Sequence, residues 1–328
     1  MQSPAYELSV ASLRRIEDCS RYEYKSVPQH SSVATVAEVV RLAREHRADG
    51  FIAIGGGSVS DTAKAAALWL AESGNLEDHA THFTPPNTLV APQLAAPKLP
   101  IVAVPCTASG AEVTSSAGIR AAEGRKLIFS DSKLAARLIV IDPLANISVP
   151  ASIMLATGMN GLAHCIEGRY SKQRTPITDA LARHAIDLFA TALPQVAREP
   201  QSVEHRASLL TAAHLSGLVL VNARTCLHHA ICHAIGAVTG VAHGDANSVI
   251  LPHAMQFNHE WLDNAFTIVA VRALQATLRV PTRMRDIGVR RDAIGTIAAK
   301  VMSERGLYFN PRPVRDVDEI MALLEAAW

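Results

Sequence analysis

The feature that most constrains this chain is Phe51-Ile52-Ala53-Ile54, a short apolar run that passes directly into Gly55-Gly56-Gly57-Ser58. A buried strand that ends in glycines and opens a helix is the repeating unit of a parallel sheet covered by helices. The neighbouring segments agree with that unit. Val33 to Ala43 carries apolar residues at helical spacing and stops at Ala48-Asp49-Gly50, while a second helix is expected from Asp61 to Leu70. A polar, proline-bearing loop from Ser73 to Lys98 leads to a strand over Ile101 to Val104, stopped by Pro105. The last strand of this half is expected over Leu138 to Ile141, closed by Asp142-Pro143. From about Pro150 onward, helix formers, histidines and arginines at helical spacing replace the β-branched runs. The boundary falls between Asp142 and Pro150, giving an α/β unit over residues 1–147 and an all-α unit over residues 148–328. No internal repeat is visible.

Composition narrows the class of ligand. In 328 residues, 49% are hydrophobic and 19% charged, enough apolar surface for a large core and too much for a disordered chain. Lys+Arg 31 against Asp+Glu 30 leaves a formal charge of +1, so no whole-molecule field would hold a nucleic acid or an anionic membrane. A small-molecule partner is expected. The five cysteines, Cys19, Cys106, Cys165, Cys226 and Cys232, form no C-x-x-C pair, and no leader-like segment precedes Leu8. The cytoplasm is the expected compartment, and no apolar run reaches the roughly 18 residues of a membrane span.

Three motifs carry candidate chemistry. In Gly55-Gly56-Gly57-Ser58-Val59-Ser60-Asp61-Thr62-Ala63-Lys64, glycines let backbone N–H groups at a helix start approach a pyrophosphate, with Ser58 as cap or phosphate contact. The spacing is not G-x-G-x-x-G, so the ordinary dinucleotide fingerprint does not apply. The second motif, Pro105 to Thr114, offers the hydroxyls of Thr107, Ser109 and Thr114 to a pyrophosphate, ribose or nicotinamide. It also reads as a capped helix start, with Ser109 as cap and Glu112 completing a capping box. The third is a set of side chains able to bind a metal, donate a hydrogen bond or move a proton. Asn160 and His164 stand four residues apart on one helix face, His229 and His233 repeat that spacing, and His243 follows.

The order of these motifs resembles the iron-containing alcohol dehydrogenase family, and the resemblance runs from about Val27 to the C-terminus. It implies a dehydroquinate synthase-like dinucleotide-binding domain followed by a helical catalytic domain, with the active site in the cleft between them. The implied cofactor is NADH or NADPH, held by Gly55, Gly56, Gly57, Ser58, Asp61, Thr107, Ser109 and Thr114. Metal-using members bind iron or zinc through an aspartate and three histidines, which fall here on Asn160, His164, His229 and His243, while His233 matches a histidine near the nicotinamide. Asparagine in place of that aspartate, with Leu227-His228-His229, Cys232-His233 and Asn310-Pro311-Arg312-Pro313-Val314, resembles the maleylacetate reductase branch. That branch often carries a lysine where Ala230 stands. Family members also have a further strand and helix before the region matching Leu13 to Tyr24, so the opening strand is expected to be shortened or missing.

An amide in place of the carboxylate removes the anionic anchor of a divalent ion, and an empty metal site follows as an expectation. Imidazoles without a counter-carboxylate suit a dianionic substrate and a proton donor. The implied activity is NAD(P)H-dependent reduction of maleylacetate to 3-oxoadipate, a step of aromatic compound catabolism, by a homodimer. His243 and His233 are placed nearest the chemistry, His164 and His229 orient substrate or retain a weak metal, and Asn160 hydrogen-bonds among them; Arg169, Lys172 and Arg224 are the cations nearest these motifs in sequence. Two alternatives remain: a metal-dependent alcohol dehydrogenase of the same fold, and a catalytically silent relative acting as an assembly module.

Overall fold

A computed structural model describes residues 22–86, 88–263 and 267–328. Its first half contains α1 (Val33–Glu45), β1 (Phe51–Gly55), α2 (Gly57–Ala71), β2 (His82–Thr84), β3 (Thr88–Val90), β4 (Ile101–Pro105), β5 (Ser116–Arg120), β6 (Lys126–Ser130) and β7 (Leu138–Ile139). The strands β1, β4 and β7 form a parallel sheet in that order, with Ile52 beside Val102 and Val102 beside Leu138. Alternation along the strands turns Ala53 and Ile101 inward, where they pack on Ala63 and Ala67 of α2. On the opposite face Ile52 and Leu138 are exposed.

Four details differ from the sequence reading. The helix after the glycine turn starts at Gly57 rather than Asp61, because Gly56 already takes the N-cap position and Val59 and Ser60 bond back to its carbonyl. The last strand keeps its ladder only at Leu138–Ile139; Val140 adds one bond to Ala103, and Asp142 then caps a new helical turn. The stretch from Ser73 to Lys98 holds a 3-10 turn at Leu76–His79 and the hairpin β2–β3, both too short to leave a hydrophobic period. A second hairpin, β5–β6, was not foreseen at all. The expectation for the segment from Leu13 falls largely outside the described residues.

The second half is helical: α3 (Pro143–Asn146), α4 (Ala151–Tyr170), α5 (Pro176–Arg198), α6 (Val203–Ala223), α7 (Leu227–Thr239), α8 (His243–Phe257), α9 (Ile268–Leu278), α10 (Ile294–Val301) and α11 (Val317–Ala327). Side chains start several of these helices, as Thr175 does for α5, Ser202 for α6 and Asp316 for α11. One core lies among α4, α5 and α6 around Met159, Phe189 and Leu209; another lies among α7, α8, α10 and α11 around Ile231, Ile250 and Leu324. Among the described residues, no helix is long and apolar enough to cross a membrane.

Two of the contacts between the halves bear on the site. The Ala108 N–H donates to Thr157 Oγ1 of α4 at 3.1 Å. Phe83 of β2 meets Tyr308 edge-on, with ring centroids 5.4 Å apart. The same loop as Ala108 approaches α6 at Gly110, whose φ of 68° is left-handed and whose added Cβ would fall 2.8 Å from the Ala213 carbonyl oxygen. The variant Gly110→Ala is therefore expected to lose about 2–3 kcal/mol of stability. A lower urea midpoint at unchanged m-value would show this, and an unchanged midpoint would refute it.

Candidate active site

The site is built on two strand-to-helix loops and three helices. After β1, Gly56 lies in extended backbone with no side-chain cap on α2, which leaves the N-terminal N–H groups of that helix available to an anion. The second loop packs close against this turn. A Cβ at Gly56 would come within 3.0 Å of Thr107 Cγ2, and Thr107 and Ser109 hydroxyls lie 3.3 Å apart. Gly55, Gly56, Gly57, Ser58, Thr107 and Ser109 thus gather at the carboxyl end of the sheet, with the Ser58 hydroxyl accepting from the His30 N–H at 3.1 Å.

Asp61 and Thr114 point into the structure instead. Lys64, fully buried, donates to Ala111 O at 2.7 Å, Thr114 Oγ1 at 3.1 Å and Ser116 O at 3.1 Å, locking α2 to the second loop. Asp61 accepts the Gly118 N–H at 3.0 Å, and burial raises its carboxyl against the pull of Lys64 and Lys126. The capping-box reading of the second motif does not form. Gly110 caps a 3-10 turn at Ala111–Val113, and Glu112 is buried near the charge of Lys64.

The imidazole cluster comes from α4, α7 and α8. Asn160, His164 and Glu167 share one face of α4 and are all buried. Glu167 Oε1 accepts the backbone N–H of His228 at 2.8 Å and of His229 at 3.4 Å, while Oε2 accepts His229 Nδ1–H at 2.5 Å. This carboxylate caps α7, whose N-cap residue Cys226 supplies no side-chain bond. With Nδ1–H committed, His229 Nε2 carries its lone pair at the Asn160 amide, 3.0 Å from the atom placed as Oδ1. Hydrogen-bond complementarity then requires the amide NH₂ on that side.

The other rings close around this pair. His164 stacks on His229 at 4.6 Å between centroids, His243 lies 5.7 Å from His229, and His233 stacks on His243 at 5.4 Å. Burial, and then the neighbouring rings, holds His164, His229 and His243 well below the usual imidazole range, so all three are neutral. His228 is pushed down to about 4, chiefly by burial. His233 is the most open member, with 37% of its side chain exposed and Nδ1 at 3.7 Å from Glu304 Oε2.

The two groups are tied together by the second loop and by Lys126. The loop that carries Thr107 against Gly56 also places Ala108 on Thr157, three residues before Asn160. From the far side, Lys126 on β6 acts electrostatically on Asp61 and also on His229, His243 and Glu304. Lys126 and Glu304 are absent from the sequence reading; Lys126 lies on a hairpin with no period, and Glu304 has no motif near it. Ala230, the position for which the resemblance implies a lysine, is 1% exposed and packs toward Gly306. Arg169 pairs with Asp263 beside a cavity lined by Tyr170 and Trp261, outside the cluster.

The donors fit a divalent ion poorly. Three neutral imidazoles and an amide offer no anionic anchor, and His164 Nδ1 is buried with no partner to orient the ring. Among the described residues, the ligand atoms that gather within 4.8 Å belong to Glu167, His228 and His229. These are already engaged in capping α7, and His228 Nε2 faces Asn247 O at 3.1 Å. The uncapped start of α2, by contrast, suits a pyrophosphate.

Two outcomes follow from this geometry. Glu167→Ala would orphan three N–H groups, at about 1 kcal/mol or more each, and should lower stability by roughly 3 kcal/mol in urea unfolding. Between pH 6.5 and about 4 the unfolded chain takes up a proton on His228 that the folded chain refuses. Stability should thus be complete above pH 6.5 and fall as the pH drops through that window; a midpoint flat across it would contradict a neutral cluster.

Comparison with known proteins agrees with this architecture. Residues 2–143 match the iron-containing alcohol dehydrogenase model, and residues 154–270 and 262–328 match the C-terminal model of the Fe-containing alcohol dehydrogenase family. The maleylacetate reductase of Pseudomonas knackmussii is 29% identical over 316 residues, 93% of this chain and 81% of the relative. The NAD-dependent methanol dehydrogenase of Bacillus methanolicus is 30% identical over 312 residues, 87% of this chain and 80% of that protein. The crystal structure of a 1,3-propanediol oxidoreductase superposes with a TM-score of 0.89 at 27% identity, covering 99% of this chain and 88% of the other. With both halves matched, the chain belongs to the iron-containing alcohol dehydrogenase family.

Proposed function

We propose that this NAD(P)-dependent oxidoreductase is a reductase of the maleylacetate type, acting in the cytoplasm as a homodimer on a small dicarboxylate. The observation that carries this reading is Asn160 facing His229 Nε2 in a cluster of neutral imidazoles. An amide there supplies a hydrogen bond where a metal-using relative needs an anion. Two maleylacetate reductases among the relatives, at 29% identity, point the same way.

In this reading Gly55, Gly56, Gly57 and Ser58 hold the pyrophosphate at the start of α2, and Thr107 and Ser109 meet the ribose and amide. Asp61 and Thr114 act behind them, keeping the loops in place. Bound in this cradle, a reduced nicotinamide would supply the hydride for the alkene carbon β to the substrate ketone. His233, the most open ring, delivers the proton to the α carbon, completing 3-oxoadipate. His243 stacks behind it. His164, His229 and Asn160 orient the substrate by hydrogen bonds, and Lys126 supplies the cation for a carboxylate. No step requires an ion among the imidazoles.

The similarity to a methanol dehydrogenase supports a second reading, a metal-dependent alcohol dehydrogenase using His164, His229 and His243 as ligands. Following NADH and NADPH absorbance with maleylacetate, alongside elemental analysis, separates the two. The first reading expects turnover with substoichiometric metal. Background turnover beside an active maleylacetate reductase control would sink it, and stoichiometric iron or zinc whose removal abolishes alcohol oxidation would establish the second. Lys126→Ala is expected to raise KM for the dicarboxylate about tenfold, equivalent to ~1.4 kcal/mol, with kcat little changed.

A further inference from the structure

We infer that Glu304 is a positioning residue for His233, its carboxylate fixing the ring so that Nδ1 keeps its proton and Nε2 faces the crevice. This rests on the reading of His233 as the proton donor. The geometry is specific: Glu304 Oε2 lies 3.7 Å from His233 Nδ1, and the other oxygen, Oε1, faces Lys300 Nζ at 3.5 Å. Catalytic hydrogen bonds are often long in the ligand-free state and tighten on substrate binding.

The same device occurs one turn earlier on α7. Glu167 hydrogen-bonds Nδ1 of His229 at 2.5 Å and Glu304 stands 3.7 Å from Nδ1 of His233, so two carboxylates face successive rings of one helix, the second more loosely. The first pair is sealed, with Glu167 fully buried; the second is open, with side chains 37% and 21% exposed. A sealed pair builds the cluster, while an open one can serve a ring that exchanges a proton with a ligand.

Charge favours the assignment. Burial pushes the Glu304 carboxyl up, but His233, Lys300 and Lys126 together outweigh it and hold it below the usual range. An ionised carboxylate only accepts, so a hydrogen bond formed by closing this 3.7 Å gap requires Nδ1 to donate. Glu304 also sits at the start of the turn Arg305–Tyr308, and Tyr308 is the ring that meets Phe83. The carboxylate therefore takes its place from a segment packed across both halves of the molecule.

The test uses the full-length protein with NADPH and maleylacetate. Glu304→Gln should lower kcat about ten- to a hundredfold with KM little changed, Glu304→Asp should recover part of the loss, and adding His233→Gln should cost nothing further. A normal kcat in Glu304→Gln beside a depressed kcat in His233→Gln would overturn the inference and leave the proposed function standing. A normal kcat in His233→Gln would instead remove the proton-donor reading. Ring-nitrogen NMR of the ligand-free protein decides the positioning itself, with the His233 signals identified by their loss in His233→Gln. The wild type should show the Nδ1–H form and Glu304→Gln a tautomer mixture; identical spectra would overturn the inference even in a protein inactive on maleylacetate.

Discussion

The buried carboxylate of Glu167 is the interaction on which the imidazole cluster depends. Three N–H groups of α7 converge on it, and the Asn310 amide oxygen accepts a fourth, from Leu227, at 3.3 Å. A lone carboxylate in such a place would carry a large desolvation cost. Here it is offset by three donors that are buried with it at the start of α7. The same bond sets the tautomer of His229, and through it the direction in which Asn160 must present its amide. Helix geometry, ring orientation and the character of the site thus follow from one acid.

Lys64 plays the corresponding part in the nucleotide half. Its ammonium satisfies two carbonyls and a hydroxyl of the segment after β4, so the glycine turn and the hydroxyl-bearing loop are one rigid unit. Burial lowers its pKa, with Asp61 and Glu112 opposing. Thr114 belongs to this joint, which explains why a hydroxyl in a promising motif is turned away from the crevice.

Much of this was legible in the sequence, for identifiable reasons. Phe51 to Ile54 and Ile101 to Val104 are fully apolar and bounded by glycine or proline, so their strands were plain. The histidines stood out because four-residue spacing on an apolar helix places polar rings together. Glu167 lay inside the same stretch and went unread, since its role appears only when α7 is brought against α4. Lys126 and Glu304 were invisible for a similar reason: each reaches the crevice from a turn-rich segment distant in the chain. Ser109 and Glu112 fitted a capping pattern, yet the positive φ of Gly110 breaks the register that the pattern needs. The Ala230 position looked like a departure at the substrate, and proves to be a core contact with Gly306.

The ring contact between Phe83 and Tyr308 bears on how the molecule breathes. The two side chains come from opposite banks, so separating the banks at this rim sacrifices an aromatic pair worth about 0.5–1.5 kcal/mol beyond its buried area. The resting state is biased by that amount toward being shut, roughly a two- to tenfold shift in population. A contact of this strength is weak enough to yield to thermal motion, and any parting of β2 from the turn that carries Tyr308 must break it.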